Sequence, residues 1–136
     1  MISIKKLDHI GVAVKSIEAA LPLYTQALRL DVARTDEVAA EGVKIAFIPA
    51  GETLIELLEP TGEGTAVAKF LEGRGPGLHH MCFEVDDVDA AIAHLKEAGV
   101  SLLSDSARQG ADGRIVFLHP KASHGVLIEL LEKTRE

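Results

Sequence analysis

Leu7-Asp8-His9-Ile10-Gly11-Val12-Ala13-Val14-Lys15-Ser16-Ile17-Glu18-Ala19-Ala20-Leu21 lies without a gap on Leu78-His79-His80-Met81-Cys82-Phe83-Glu84-Val85-Asp86-Asp87-Val88-Asp89-Ala90-Ala91-Ile92, and this pairing decides the fold. The offset is 71 positions (80 − 9). Further along, Leu54-Ile55-Glu56-Leu57-Leu58-Glu59 recurs letter for letter as Leu127-Ile128-Glu129-Leu130-Leu131-Glu132, at an offset of 73 (129 − 56). Self-similarity at a nearly fixed period marks one structural unit written twice. A small difference in loop length accounts for the change of register.

Within each copy a short apolar run of period two gives way to a Ser or Asp start signal and then a helical stripe, which reads as strand followed by helix. Ser16 is placed to cap a helix whose apolar face is Ile17, Leu21, Tyr24 and Leu28. Asp87 is placed to cap a second, carrying Val88, Ile92 and Leu95 and ended by Gly99. Pro22 should kink the first helix. Three extended runs follow in each half, at about 31–37, 43–48 and 53–58, then at about 101–105, 113–118 and 125–131, separated by Gly-containing turns. Each copy is therefore β-α-β-β-β. The expected fold class is α+β, two tandem βαβββ modules forming an incomplete eight-stranded barrel around a metal cleft. A single domain should span 1–136, with module one at about 1–59 and module two at about 78–136. The linker between them, about 60–77, should hold a short helix from Val67 to Leu71.

Composition narrows the function. Hydrophobic residues make up 47% of the chain, aromatic residues only 4%, and there is no Trp, so the core must be aliphatic and aromatic platforms for stacking bases are excluded. The formal charge of −7 opposes binding to a phosphate backbone, so no nucleic-acid partner is expected. An anionic substrate would need a local positive centre. The one cysteine, Cys82, cannot form an internal disulfide, and the first residues lack the pattern of a secretory signal. No apolar run approaches the roughly 18 residues of a spanning helix. A soluble, cytoplasmic protein without a membrane partner is the expectation.

The duplication also selects candidate site residues. It puts His9 and His80 at one structural position and Glu56 and Glu129 at another, so pseudo-twofold packing of the modules would gather all four. Residues two apart on a strand share a face, which groups His9 with Gly11 and Ala13, and His80 with Cys82. Ile10, Val12 and Val14, and Met81, Phe83 and Val85, then pack under the helices. A glutamate inside Leu-Ile-Glu-Leu-Leu is costly to bury unless a cation compensates its charge. Two nitrogens and two oxygens suit an octahedral divalent ion with two positions open, to which a substrate with neighbouring oxygens can bind. One histidine at a strand start would be weak evidence; the duplicated pair and its two glutamates make the metal reading. His79 is out of phase with His80, His119 and His124 flank a loop and read as structural, and Cys82 reads as a small buried hydrophobe.

The order His, Glu, His, Glu over two such modules resembles the vicinal-oxygen-chelate superfamily of glyoxalases, bleomycin-resistance proteins and dioxygenases. Within it the chain is most similar to the methylmalonyl-CoA epimerases. The motifs run nearly end to end: Leu7 to Val14, Gly42-Val-Lys-Ile-Ala-Phe47, Ile55-Glu-Leu-Leu-Glu-Pro60, Ala68-Lys-Phe70, Gly77-Leu-His-His-Met81, Phe117-Leu-His-Pro-Lys121 and Gly125-Val-Leu-Ile-Glu-Leu130. The resemblance implies an isomerase that interconverts (R)- and (S)-methylmalonyl-CoA through an enolate stabilised by the metal. It implies one divalent ion per chain held by His9, Glu56, His80 and Glu129, with cobalt first and nickel, manganese or zinc as alternatives. It implies a CoA thioester as partner and a homodimer as the assembly. Glu129 is then both ligand and catalytic base. Some relatives carry a second glutamate on the strand matching Val43 to Phe47, where this chain has Lys44 and Ile45, and the position of Glu56 is Gln in some. Lys121, Arg114 or Arg108, and the turn from Gly110 to Gly113 are the candidate substrate contacts. The alternatives are a glyoxalase I-like lactoylglutathione lyase and a non-catalytic ligand-binding member of the superfamily.

Overall fold

The computed structural model describes residues 2–134. Its strands are β1 (Ile4–Ala13), β2 (Arg34–Val38), β3 (Val43–Ala50), β4 (Thr53–Pro60), β5 (Gly77–Val85), β6 (Arg108–Gln109), β7 (Gly113–Phe117) and β8 (Ile128–Lys133). Its α-helices are α1 (Ile17–Pro22), α2 (Ala66–Arg74) and α3 (Val88–Glu97). The described residues divide into two compact units, one of residues 9–79 and one joining residues 2–8 to residues 80–134. The duplication is thus visible as two units, but the start of β1 sides with the second module rather than the first.

In the unit of residues 9–79 the strand order is β2-β3-β4-β1. The β2–β3–β4 meander is antiparallel, and β1 runs parallel to β4 with His9 opposite Leu54 and Gly11 opposite Glu56. One face of this sheet packs Val14, Ala46, Ile48 and Leu57 against Ile17, Leu21 and Tyr24 of the first helical segment. The other face gathers Ala13, Val43, Ile45, Phe47 and Leu58 with Val67 of α2. In the second unit the order is β5-β8-β7-β6. There β5 runs parallel to β8 with Cys82 opposite Glu129, and β7 is antiparallel to β8 with Phe117 opposite Glu129. Val85, Val116 and Leu130 pack on Val88, Ala91 and Ile92 of α3, whereas Cys82, Ile115 and Leu131 form a separate cluster with Phe117 against it.

The registers repeat as closely as the letters do. Glu56 stands opposite Phe47 and Gly11, Glu129 opposite Phe117 and Cys82. The helix starts repeat as well. Ser16 and Asp87 accept from the N–H groups of Ala19 and Ala90, as expected of N-caps. The sequence reading missed a second cap: the last glutamate of each Leu-Ile-Glu-Leu-Leu-Glu run reaches the first helical N–H. Glu59 Oε1 accepts from Ile17 N–H at 2.8 Å, and Glu132 Oε1 accepts from Val88 N–H at 2.9 Å. A carboxylate at that end is favoured by the helix dipole and satisfies a donor with no partner in the helix. The exact recurrence of Glu59 as Glu132 was the signal.

Three expectations need correction. Leu28 does not join the buried face of the first helix, being 56% exposed. Pro22 has no N–H to continue the ladder, and the chain passes into a π-helical turn over Leu23–Ala27, closed by Leu28 N–H donating to Leu23 O at 2.9 Å. The wider turn rotates Leu28 off the stripe. The strand expected at 101–105 is reduced to one bridge between Leu102 and Leu118, and β6 forms instead at Arg108–Gln109. Ser104 donates its hydroxyl to the carbonyl of Ser106 at 2.7 Å, a local bond that competes with strand pairing. The linker helix is longer than expected, Ala66–Arg74, with Thr65 accepting from Ala68 N–H as its cap.

Glu59→Ala and Glu132→Ala should each cost about 1–2 kcal/mol in urea unfolding, whereas the exposed Glu63→Ala should stay within about 0.5 kcal/mol of the parent.

Candidate metal centre

Each unit builds one histidine–carboxylate pair on one face of its sheet. In residues 9–79, Glu56 is two residues from Leu58 and shares its face. His9 Nδ1 lies 3.3 Å from Glu56 Oε2, and both side chains are buried, 7% and 6% exposed. In the second unit Glu129 shares a face with Leu131, and His80 Nε2 lies 3.4 Å from Glu129 Oε1, each side chain 10% exposed. The ring of Phe117 stands edge-on to that of His80, with centroids 6.4 Å apart.

These separations fit metal ligation. Ligand atoms at about 2.1 Å from one ion, at octahedral or tetrahedral angles, stand roughly 3.0–3.4 Å from one another. Each pair offers an imidazole nitrogen and a carboxylate oxygen, a donor set suited to divalent cobalt, nickel, manganese or zinc. The surroundings are apolar: Val43, Ile45 and Phe47 in one unit, Cys82, Ile115, Leu131 and Phe117 in the other. Charge buried in such a wall needs compensation.

The remaining candidates are not gathered there. Arg114 lies on the α3 side of β7, the side of Val116, and its guanidinium grips the Asp89 carboxylate of α3 with two bonds of 2.8 and 2.9 Å. Gly113 is required by packing. It has φ 155°, and a Cβ there would run into the carbonyl of Glu132, so only glycine lets β7 lie this close to β8. Gly110 N–H donates to Gly113 O at 2.7 Å, which closes the β6–β7 turn on itself. Lys121 is exposed, and its N–H donates to His119 Nδ1 at 3.1 Å, so His119 caps the short turn Pro120–Ser123. Arg108 does reach the Glu129 side of its unit, with its guanidinium 5.9 Å from the Phe117 centroid. Arg34, absent from the sequence reading, sits 3.7 Å over the Phe47 ring beside the Glu56 register. His79 packs edge-on against Phe70 at 5.0 Å. Lys44 is exposed and Ile45 buried, so β3 presents Val43, Ile45, Phe47 and Pro49, and no carboxylate, to the Glu56 face.

Comparison with known proteins agrees with this architecture. The family model described as Glyoxalase/Bleomycin resistance protein/Dioxygenase superfamily matches residues 8–117. The ethylmalonyl-CoA/methylmalonyl-CoA epimerase of Cereibacter sphaeroides is 44% identical over 131 residues, covering 93% of this chain and 97% of that one. The crystal structure of methylmalonyl-CoA epimerase from Mycobacterium tuberculosis superposes with a TM-score of 0.90 at 36% identity, covering 97% of this chain and 90% of its own. A variant of Streptomyces coelicolor methylmalonyl-CoA epimerase, in complex with 2-nitronate-propionyl-CoA, gives 0.90 at 39% identity, covering 97% and 96%.

The Arg114–Asp89 pair makes a separate pH prediction. Hydrogen bonding to Arg114 holds the Asp89 carboxyl below its ordinary 3.8. Its stabilising contribution is present above that value and is lost as pH falls through the lowered one. Thermal midpoints of the parent and Asp89→Asn should differ slightly at pH 7 and converge in strong acid; a gap that persists there contradicts the assignment.

Proposed function

The chain belongs to the glyoxalase/bleomycin-resistance/dioxygenase superfamily and, within it, to the methylmalonyl-CoA epimerases, and from that premise we propose that it interconverts (R)- and (S)-methylmalonyl-CoA with the aid of one divalent ion. The observation that carries the reading is the pair of buried histidine–glutamate contacts, 3.3 and 3.4 Å, at equivalent registers of two duplicated sheets.

His9, Glu56, His80 and Glu129 would hold the ion. When bound it would supply Lewis-acid polarisation of two neighbouring substrate oxygens, the thioester carbonyl and a carboxylate oxygen. Cobalt is the ion we assign, with nickel, manganese and zinc compatible with the same donors. A homodimeric state is carried over from the resemblance, and a cytoplasmic location from the single cysteine and the sequence of the first residues. No helix among the described residues is long and apolar enough to cross a membrane.

Glu129 is the base we assign to remove and return the proton on the carbon between thioester and carboxylate. Its carboxylate is buried beside Phe117, Ile115, Leu131 and Cys82, a wall that keeps bulk water from competing for that proton. His80, in contact with it, restricts its orientation. Because β3 offers no carboxylate to the Glu56 face, Glu56 is the remaining acidic group of its unit at an equivalent register, and a second proton-handling role falls to it. Arg108, held over Phe117, is the cation best placed to meet an anionic substrate on the Glu129 side.

Exchange of solvent deuterium into methylmalonyl-CoA tests the activity. Exchange should be lost after chelator treatment and restored by cobalt, and Glu129→Gln should lower it by about 10³-fold or more. Full activity of stripped protein sinks the metal mechanism. Turnover only of the hemithioacetal of methylglyoxal and glutathione sinks the substrate assignment in favour of the lyase.

A further inference from the structure

Both passages of the chain between its two compact units fall at a ligand histidine: Asp8 ends one segment and His9 begins the next, and His79 is followed by His80 in the same way. The residue before each ligand histidine is anchored in its own unit. His79 is packed on Phe70. Asp8 is held by charge: its carboxylate, 3% exposed, meets Lys133 Nζ of β8 at 2.9 Å.

The anchor at Asp8 is built of several groups. Lys133 Nζ also stands 3.7 Å from Glu84 Oε1 of β5. Lys5 Nζ, on the opening turn of β1, lies 3.2 Å from Asp86 and 3.9 Å from Glu84. The backbone joins in, with Asp86 N–H donating to Ser3 O at 3.4 Å. The chain of charges Asp8–Lys133–Glu84–Lys5–Asp86 therefore ties the first half of β1 to β5 and β8. Lys133 has its ammonium held above the ordinary lysine range, chiefly by its hydrogen bond to Asp8. An ion pair in which one carboxylate is almost wholly buried is an expensive way to gain stability, since apolar residues of the same volume would serve as well or better. It does fix a position, because a buried charge has one place in which it is satisfied.

We propose that Asp8 and Lys133 form a positioning pair for the metal centre: the pair fixes β1 at the peptide that presents His9, from a lysine four residues beyond Glu129 on β8. The inference rests on the proposed metal centre and assigns it a second layer of residues. In this role both side chains act through His9. Outer groups that hold a ligand in place commonly change metal affinity by 10–100-fold when removed.

The test is metal affinity. Metal-free protein is titrated with cobalt(II) in competition with a chromophoric chelator, and thermal midpoints are taken on the same samples. Asp8→Asn and Lys133→Met should weaken cobalt binding by about tenfold or more, Lys133→Arg should stay near the parent, and Arg114→Met, which breaks an ion pair on the other face of the same sheet, should bind as the parent does. Should Asp8→Asn fail to fold, Lys133→Met gives the same comparison from a side chain that is 42% exposed. Parent-like cobalt affinity in folded Lys133→Met, or an equal loss in Arg114→Met, overturns the positioning role while leaving the metal centre standing. Absence of cobalt binding by the parent overturns both.

Discussion

Glu56 and Glu129 sit in the middle of apolar strands, buried, each within reach of the histidine from its own module. Removing a carboxylate from water costs several kcal/mol even after relaxation, and a neutral imidazole alone does not return that. Much of the surrounding structure follows from this constraint. The strand faces around the glutamates are lined with Ile45, Phe47, Ile115, Phe117 and Leu131, which lower the local dielectric and raise the worth of any cation placed between the donors. The residues opposite them on the parallel neighbour are small, Gly11 and Cys82.

Duplication meets the constraint twice with one set of contacts. In each copy the first glutamate of Leu-Ile-Glu-Leu-Leu-Glu enters the site and the last turns to the opposite face, where it accepts from the first N–H of the helix. One six-residue run thus sets both the buried glutamate beside the histidine and the start of the helix packed behind it. A slip by one residue would exchange the faces and lose both. This coupling gives a physical reason for that run to appear letter for letter in the two halves.

The βαβββ order and the pairing of His9 with Glu56 and of His80 with Glu129 were legible in the sequence because they depend on period and on repetition, and both survive in the letters. The strand at 101–105 was not. Its apolar residues, Leu102 and Leu103, are bracketed by Ser101, Ser104, Asp105 and Ser106, the Ser104 hydroxyl bonds to the Ser106 carbonyl, and of the expected strand a bridge at Leu102 remains. The substrate contacts were legible only as charge. Sequence marks Arg114 and Arg108 alike, yet strand alternation sends the first to Asp89 on α3 and leaves the second over Phe117. Asp8 was overlooked because an acidic residue at a strand start reads as solvated. Its partner Lys133 is 125 positions away (133 − 8), and nothing local announces the pair.

The proposed function requires that His9, Glu56, His80 and Glu129 serve one ion. Equilibrium dialysis of metal-free protein against cobalt(II), with metal and protein determined separately, tests it most directly. One ion per native chain is expected, and none at the same free concentration for His9→Ala and for His80→Ala alike. Two ions per native chain, or one retained by either variant, would contradict it.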